Sequence, residues 1–299
     1  MSATLASLEE WSGVEVSVGQ IERELARLRE SFPGGGAPRQ RTSVMTHLAW
    51  VPPEWLDAAE RTLEGLAARH PSRTILLVPE PGRPSGLDAE LSVRCFPAEG
   101  REVCGEVIEL HLRGDRVRAP VSIVVPLAIA DLPVFLRWRG EPPFGAAHWC
   151  ELVELTDRLV VDSSEWRQLR YAELAAVFEQ TAVSDIAWAR TYPWRVALAG
   201  CWPAIASAAV ELAGPRAEAA LVHGWLCARL RRELPPPVEA AALEVRLDGA
   251  PLAPADEPPR SPSDLLSDEL DRSAREPVYE EAVRTASGLL AAAGALGVR

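Results

Sequence analysis

Lysine is missing from the chain: all 31 basic residues among its 299 are arginine. Set against 43 acidic residues, they leave a formal charge of −12. So acidic a chain lacks the basic footprint that neutralises phosphates, which excludes a general nucleic-acid binder. No basic amphipathic stretch is present to attach it to a membrane surface. Long apolar runs are missing as well. The longest, Val121 to Ala130, is ten residues and includes Ser122 and Pro126, too short to cross a bilayer. The first twenty residues carry neither a positive n-region nor a long apolar h-region, so no signal peptide is expected. The five cysteines, at 95, 104, 150, 201 and 227, contain no CxxC pair. An odd, scattered set reads as reduced, buried thiols, and the expected compartment is the cytoplasm. Cys95 and Cys104 could face each other across a hairpin, where a reducing cytoplasm favours two thiols over a disulfide.

Motifs that carry chemistry are also missing. There is no GxGxxG, no GxxxxGK[ST] and no GxSxG. The glycine-rich segment at 32–38 has no strand before it and no helix start after it, so it reads as a linker rather than a phosphate cradle. Among the histidines at 47, 70, 111, 148 and 223 none pairs with another at helical spacing. His148 and Cys150 are close, but two ligands do not make a metal site. Neither metal nor cofactor is expected. His70, before Pro71, suits a cation closing a helix end. Asp162-Ser163-Ser164-Glu165 follows an apolar strand. It reads either as a ligand site at a strand's carboxyl end or as the cap of the next helix, and capping is favoured.

What is present is an alternation of buried strands and amphipathic helices. Ser17 and Gln20 form a capping-box pattern ahead of Ile21, Leu25 and Leu28 on one helical face. A strand over 41–51, a helix over 52–70 and a short apolar strand over 71–80 make a β-α-β order, which implies a parallel pair. Two alternating segments, 87–95 and 102–112, read as antiparallel strands. A short helix is expected over Val121 to Leu127, a turn at Asp131-Leu132-Pro133 and a buried strand "VFLRW". A helix from Trp149, a strand ending at Asp162, and helices over 165–180 and 184–202 follow, the last broken at Pro193. The expected fold is α/β, a mainly parallel sheet flanked by helices, with a smaller C-terminal α+β region. The expected division is an N-terminal helix and linker over 1–40, an α/β domain over 41–205 and an α+β domain over 206–299.

Tryptophan is abundant: ten, against five Phe and three Tyr. Several stand beside arginine, as in Arg137-Trp138-Arg139 and Trp194-Arg195. Trp and Arg are enriched at interface hot spots, and a strand cannot cheaply bury two arginines. Arg137, Trp138, Arg139, Trp194 and Arg195 are therefore the candidate partner-binding residues, and no catalytic residue is nominated.

"HPSRTILLV" (70–78), "CGEVIEL" (104–110), "VPLAIADLPVFLRWRG" (125–140) and "LTDRLVVDSSEW" (155–166) occur in this order, followed by "DIAWARTYPWRVALA" (185–199) and "LLSDELDRSAREPVYEEAV" (265–283). The ordered set resembles the glucose-6-phosphate dehydrogenase assembly protein family, OpcA. The chain departs from the family pattern at His47, where the family often has Asn, and at Arg137, where it often has a second Trp. The resemblance implies a non-catalytic assembly factor that binds glucose-6-phosphate dehydrogenase and promotes its active oligomer in the oxidative pentose phosphate pathway. The alternative from the residues alone is a sugar-phosphate sensor or small enzyme that uses arginines as phosphate clamps.

Overall fold

The computed structural model describes residues 7–31, 43–66, 69–70, 72–98 and 101–297. The glycine-rich segment at 32–38 lies outside them. The fold class is as expected: a large, mostly parallel sheet flanked by helices, then a smaller sheet with helices toward the C-terminus. The strands are β1 (Ser7–Gly13), β2 (Thr46–Trp50), β3 (Arg73–Glu80), β4 (Gly86–Ala98), β5 (Arg101–Arg113), β6 (Val134–Trp138), β7 (Arg158–Val161), β8 (Ala182–Asp185), β9 (Val210–Gly214), β10 (Val238–Glu239), β11 (Glu244–Leu247) and β12 (Ala250–Leu252). The eight-stranded sheet has the order β1-β4-β5-β3-β2-β6-β7-β8, and the four-stranded one β10-β9-β11-β12. The helices are α1 (Val18–Ser31), α2 (Leu56–Leu66), α3 (Val121–Leu127), α4 (Ala147–Glu154), α5 (Tyr171–Val177), α6 (Ile186–Arg190), α7 (Tyr192–Gly200), α8 (Arg216–Leu230), α9 (Pro262–Leu270) and α10 (Pro277–Gly297).

The chain divides into two compact units, one comprising 1–159 with 262–271, the other 160–261 with 272–299. In the first unit β2 is the hub. It pairs in parallel with β3 on one side and β6 on the other, so that Leu48 lies level with both Ile75 and Leu136. All five β2 residues are buried, as a strand covered on both faces requires. β4 and β5 form the expected antiparallel pair, with Cys95 opposite Cys104 in the backbone register. α1 starts at Ser17, whose Oγ accepts from the Gln20 N–H at 3.3 Å. Its buried Ile21, Leu25 and Leu28 face the sheet, where α1 packs on β1 and β4. α9 packs on α2, joined by Arg69 to Asp268 at 2.9 Å and by the Ser263 hydroxyl to the Thr62 carbonyl at 2.9 Å.

In the second unit, α8 is almost wholly buried and packs against α10. The approach is close at Gly224, where a Cβ would lie 2.5 Å from the Ala282 carbonyl oxygen. Leu198, Val210, Leu212, Val222, Leu226 and Val245 form a core over the small sheet.

Three sequence expectations are corrected. The helix expected over 165–180 is only α5. Arg216 Nη2 donates to the Trp166 and Arg167 carbonyls at 2.8 and 2.6 Å, which engages acceptors that a helix would use for itself. The segment read as helical from Ser184 begins as a strand, β8, with Asp185 turning it into α6 as an N-cap. His70 is not a helix-end cation. It is buried, its Nε2 lies 2.6 Å from Ser267 Oγ, and burial lowers its pKa, which favours the neutral ring. Among the described residues no helix is long and apolar enough to cross a membrane.

Candidate functional site

The end of β6 answers why a buried segment closes on Arg-Trp-Arg. Strand alternation sends Trp138 to one face and Arg137 to the other. Trp138 is 1% exposed. It stacks on Trp50, its register partner in β2, with centroids 4.7 Å apart and planes within 6°. The edge of Trp149 from α4 meets it at 4.7 Å, and His148 lies over Trp50 at 5.3 Å. Trp138 is therefore core. Arg137 is buried too, and its Nη1 donates to the Trp138 carbonyl. Arg139 is half-buried. Its Nη2 donates to Thr62 Oγ1 at 3.1 Å, and its guanidinium lies 5.9 Å from the Trp55 ring centre. Neither Arg137 nor Trp138 offers its side chain to a surface, which corrects the expectation that they reach a partner.

The buried arginine has a local consequence. His47 on β2 is buried, and its Nε2 has no hydrogen-bond partner among the described residues. Burial first, then the positive charge of Arg137, push its pKa down to about 4. His47 is a neutral ring at physiological pH.

In the second unit, the carboxyl ends of β7 and β8 carry a denser polar cluster. Asp162 is the expected cap: its Oδ1 accepts from the Ser164 N–H at 3.2 Å and the Ser164 hydroxyl at 2.6 Å. It also does what the sequence did not reveal. Arg190 grips it in a two-pronged pair, at 2.8 Å to Oδ2 and 2.9 Å to Oδ1, while Arg190 Nε donates to Glu218 Oε1 at 2.8 Å. Asp185, 1% exposed, accepts from the Ser163 and Ala187 N–H groups at 3.0 and 2.8 Å. The Tyr279 hydroxyl donates to its Oδ2 at 3.4 Å. Burial, then the nearby Asp162 charge, raise the Asp185 pKa to about 7. The cluster thus holds two carboxylates fixed by Arg190 and one carboxyl poised to titrate near neutrality. Through Arg190, Glu218 and Tyr279 its contacts join α6, α8 and α10 to the ends of β7 and β8. Arg190, Glu218 and Tyr279 carried no sequence signal, but Asp185 did. An acid at the end of an apolar run and just before helical periodicity is an N-cap pattern.

The remaining expected residues lie on α7. Trp194 is half-buried against the core of the second unit. The Arg195 guanidinium covers the Trp188 ring at 3.7 Å and approaches Glu276 at 3.9 Å. Beside them α7 turns Tyr192 and Val196, one helical turn apart, toward solvent at 43% and 41% exposure, and Trp202 beyond its end is 66% exposed. Among the described residues there is no group of three His, Cys, Asp or Glu side chains able to hold a metal ion.

Residues 64–177 match the family model described as the glucose-6-phosphate dehydrogenase subunit N-terminal domain. A protein of Synechocystis sp. named "Putative OxPP cycle protein OpcA" is 28% identical over 184 residues, covering 56% of this chain and 38% of that protein. A protein of the same name from Nostoc punctiforme is 28% identical over 249 residues, 77% of this chain and 52% of its own length. The chain thus spans about half or less of these relatives. The matches support the OpcA family, the one that the ordered sequence motifs resemble.

Proposed function

We propose that this chain acts with glucose-6-phosphate dehydrogenase in the oxidative pentose phosphate pathway, as a non-catalytic assembly factor in the cytoplasm that promotes the enzyme's active oligomer. The observation that carries this reading is the match of residues 64–177 to the dehydrogenase subunit N-terminal domain. A protein that binds one assembly state more tightly than another shifts the population by that difference in affinity, without chemistry of its own.

We assign the contact to the exposed face of α7, formed by Tyr192 and Val196 with Trp202 beyond the helix end, and flanked by Trp194 and Arg195. Aromatic side chains beside arginine are the composition of interface hot spots. The test is to mix the chain with its host's dehydrogenase, following NADPH formation and the mass of the complex by size exclusion. Higher activity together with a heavier complex is the expected result. No change in either, with tight binding of glucose 6-phosphate by this chain alone, overturns the reading in favour of a sugar-phosphate sensor.

A further inference from the structure

We propose that the face of β1, β4 and β5 opposite α1, left open among the described residues, seats a cationic amphipathic helix supplied by a protein partner. This goes beyond the dehydrogenase reading and does not depend on it. In the first unit, α1 covers one face of β1 and β4. On the opposite face, Glu10, Ser12, Glu90, Ser92 and Glu109 line a trough of about 620 Å³ beside α2. α2 packs over the core formed by Ala49, Val51 and Leu76, and that core's margin, Leu63 and Val107, forms the trough's apolar floor.

Geometry fits one helix. Adjacent strands lie about 4.8 Å apart, so β3 to β1, across β5 and β4, spans about 14 Å. A helix with its side chains is about 10–12 Å across, and helices pack side by side at about 8–10 Å. A helix laid next to α2 would therefore sit over β5 and β4 and complete the helical layer on that face.

Charge says what kind of helix. Glu90 and Glu109 are direct cross-strand partners, and like charges so placed repel. Glu10 adds a third carboxylate to the same trough. His111 answers Glu109, its Nε2 lying 2.9 Å from that carboxylate. That contact is the largest cause raising the His111 pKa. An apolar floor between acidic walls matches a helix with leucine-like residues on one face and arginine or lysine on its flanks. A second copy of this chain, at −12, has the wrong sign to be drawn in.

The probe is a fluorescein-labelled model helix of leucine, alanine and arginine, arginines flanking one leucine face, with a scrambled peptide of identical composition as control. Anisotropy is read with the wild-type chain and with the triple variant Glu10→Gln/Glu90→Gln/Glu109→Gln. It is also read with Ser92→Arg, which places a cation in the trough, and with Glu151→Gln/Glu154→Gln/Glu244→Gln, which removes equal charge from exposed sites elsewhere. Circular dichroism melts confirm that every variant is folded. The expected result is saturable, salt-sensitive binding by the wild type. It should weaken at least tenfold in both trough variants and for the scrambled peptide, and by less than twofold in the control variant. Equal losses in trough and control variants would reduce the effect to net charge and overturn the proposal, as would equal binding of the scrambled peptide or no saturable binding. A dimer of the wild-type chain in sedimentation, absent from the triple variant, would give the trough to a second copy and overturn it too.

Discussion

Two arginine-flanked tryptophans look alike in the sequence and have opposite fates. Trp138, between Arg137 and Arg139, lies in a cluster of four rings, and one of its arginines is buried behind it. Trp194, beside Arg195, only half enters a core, and next to it Tyr192, Val196 and Trp202 face solvent. The difference is backbone. On β6 the alternation hides Trp138 between β2 and α4, whereas on α7 a helical turn leaves a stripe uncovered. Burial also takes opposite electrical forms in the two regions. Around β6, burial and then the charge of Arg137 keep His47 neutral. At the ends of β7 and β8, Arg190 holds the Asp162 and Glu218 carboxylates, and burial raises the pKa of the neighbouring Asp185 to about 7.

The largest expected effect tests the first half of that contrast. Trp138→Ala should cost about 3–5 kcal/mol of stability, read from urea denaturation. A loss below about 1 kcal/mol would mean that the stack does not anchor the sheet. Next comes Arg190→Ala, which leaves Asp162 and Glu218 facing each other without their cation. Breaking a fully buried pair costs about 3–5 kcal/mol, but a third of the Arg190 side chain meets water, so about 2 kcal/mol is expected.

Acid titration separates the two electrical forms, with an expected slope of at most about 1.4 kcal/mol per pH unit for each group. Asp185 has a folded pKa of about 7 against the ordinary carboxyl value of 3.8. Between those values the folded state holds the extra proton, so this group's contribution to stability falls as pH rises through that window. His47 has a folded pKa of about 4 against 6.5. There the unfolded state holds the extra proton, so its contribution rises with pH over about 4 to 6.5. Asp185→Asn and His47→Gln should therefore change the slope of the unfolding midpoint against pH in opposite directions. Slopes that change the same way would break the comparison. The smallest stability effect is expected from Trp202→Ala, within about 0.5 kcal/mol. If α7 is the dehydrogenase contact, the same change should weaken association by about 2 kcal/mol or more in a binding isotherm.

Much of the first unit was legible in the sequence because its signals are local. The apolar runs of β2, β3 and β6, the capping serine of α1 and the proline-bounded α3 all declare themselves within a few residues. β8 and β9 did not: β8 runs without a break into the helical pattern of α6, and β9 has only Val210, Leu212 and Ala213 as apolar side chains, too few for a strand pattern to stand out from its surroundings. The polar cluster was legible only in part. Asp162 showed its capping role, but its pairing with Arg190 and Glu218 depends on where α6 and α8 are brought, which no local pattern states. The burial of Arg137 was hidden for the same reason. The register of β2 against β6 sets it beside His47, and register is a long-range property.

The return of α9 to the first unit has a consequence in time. Arg69 and His70 find their partners Asp268 and Ser267 almost two hundred residues later in the chain. At a synthesis rate of about 5–20 residues per second, roughly 10–40 s separate the two halves of that contact as they leave a ribosome. Throughout that interval the α2 surface that α9 covers is open to water and to chaperones. Contacts this distant in sequence also slow folding from the denatured state. The nascent first unit is thus a late-closing structure, completed only after most of the second unit has been made.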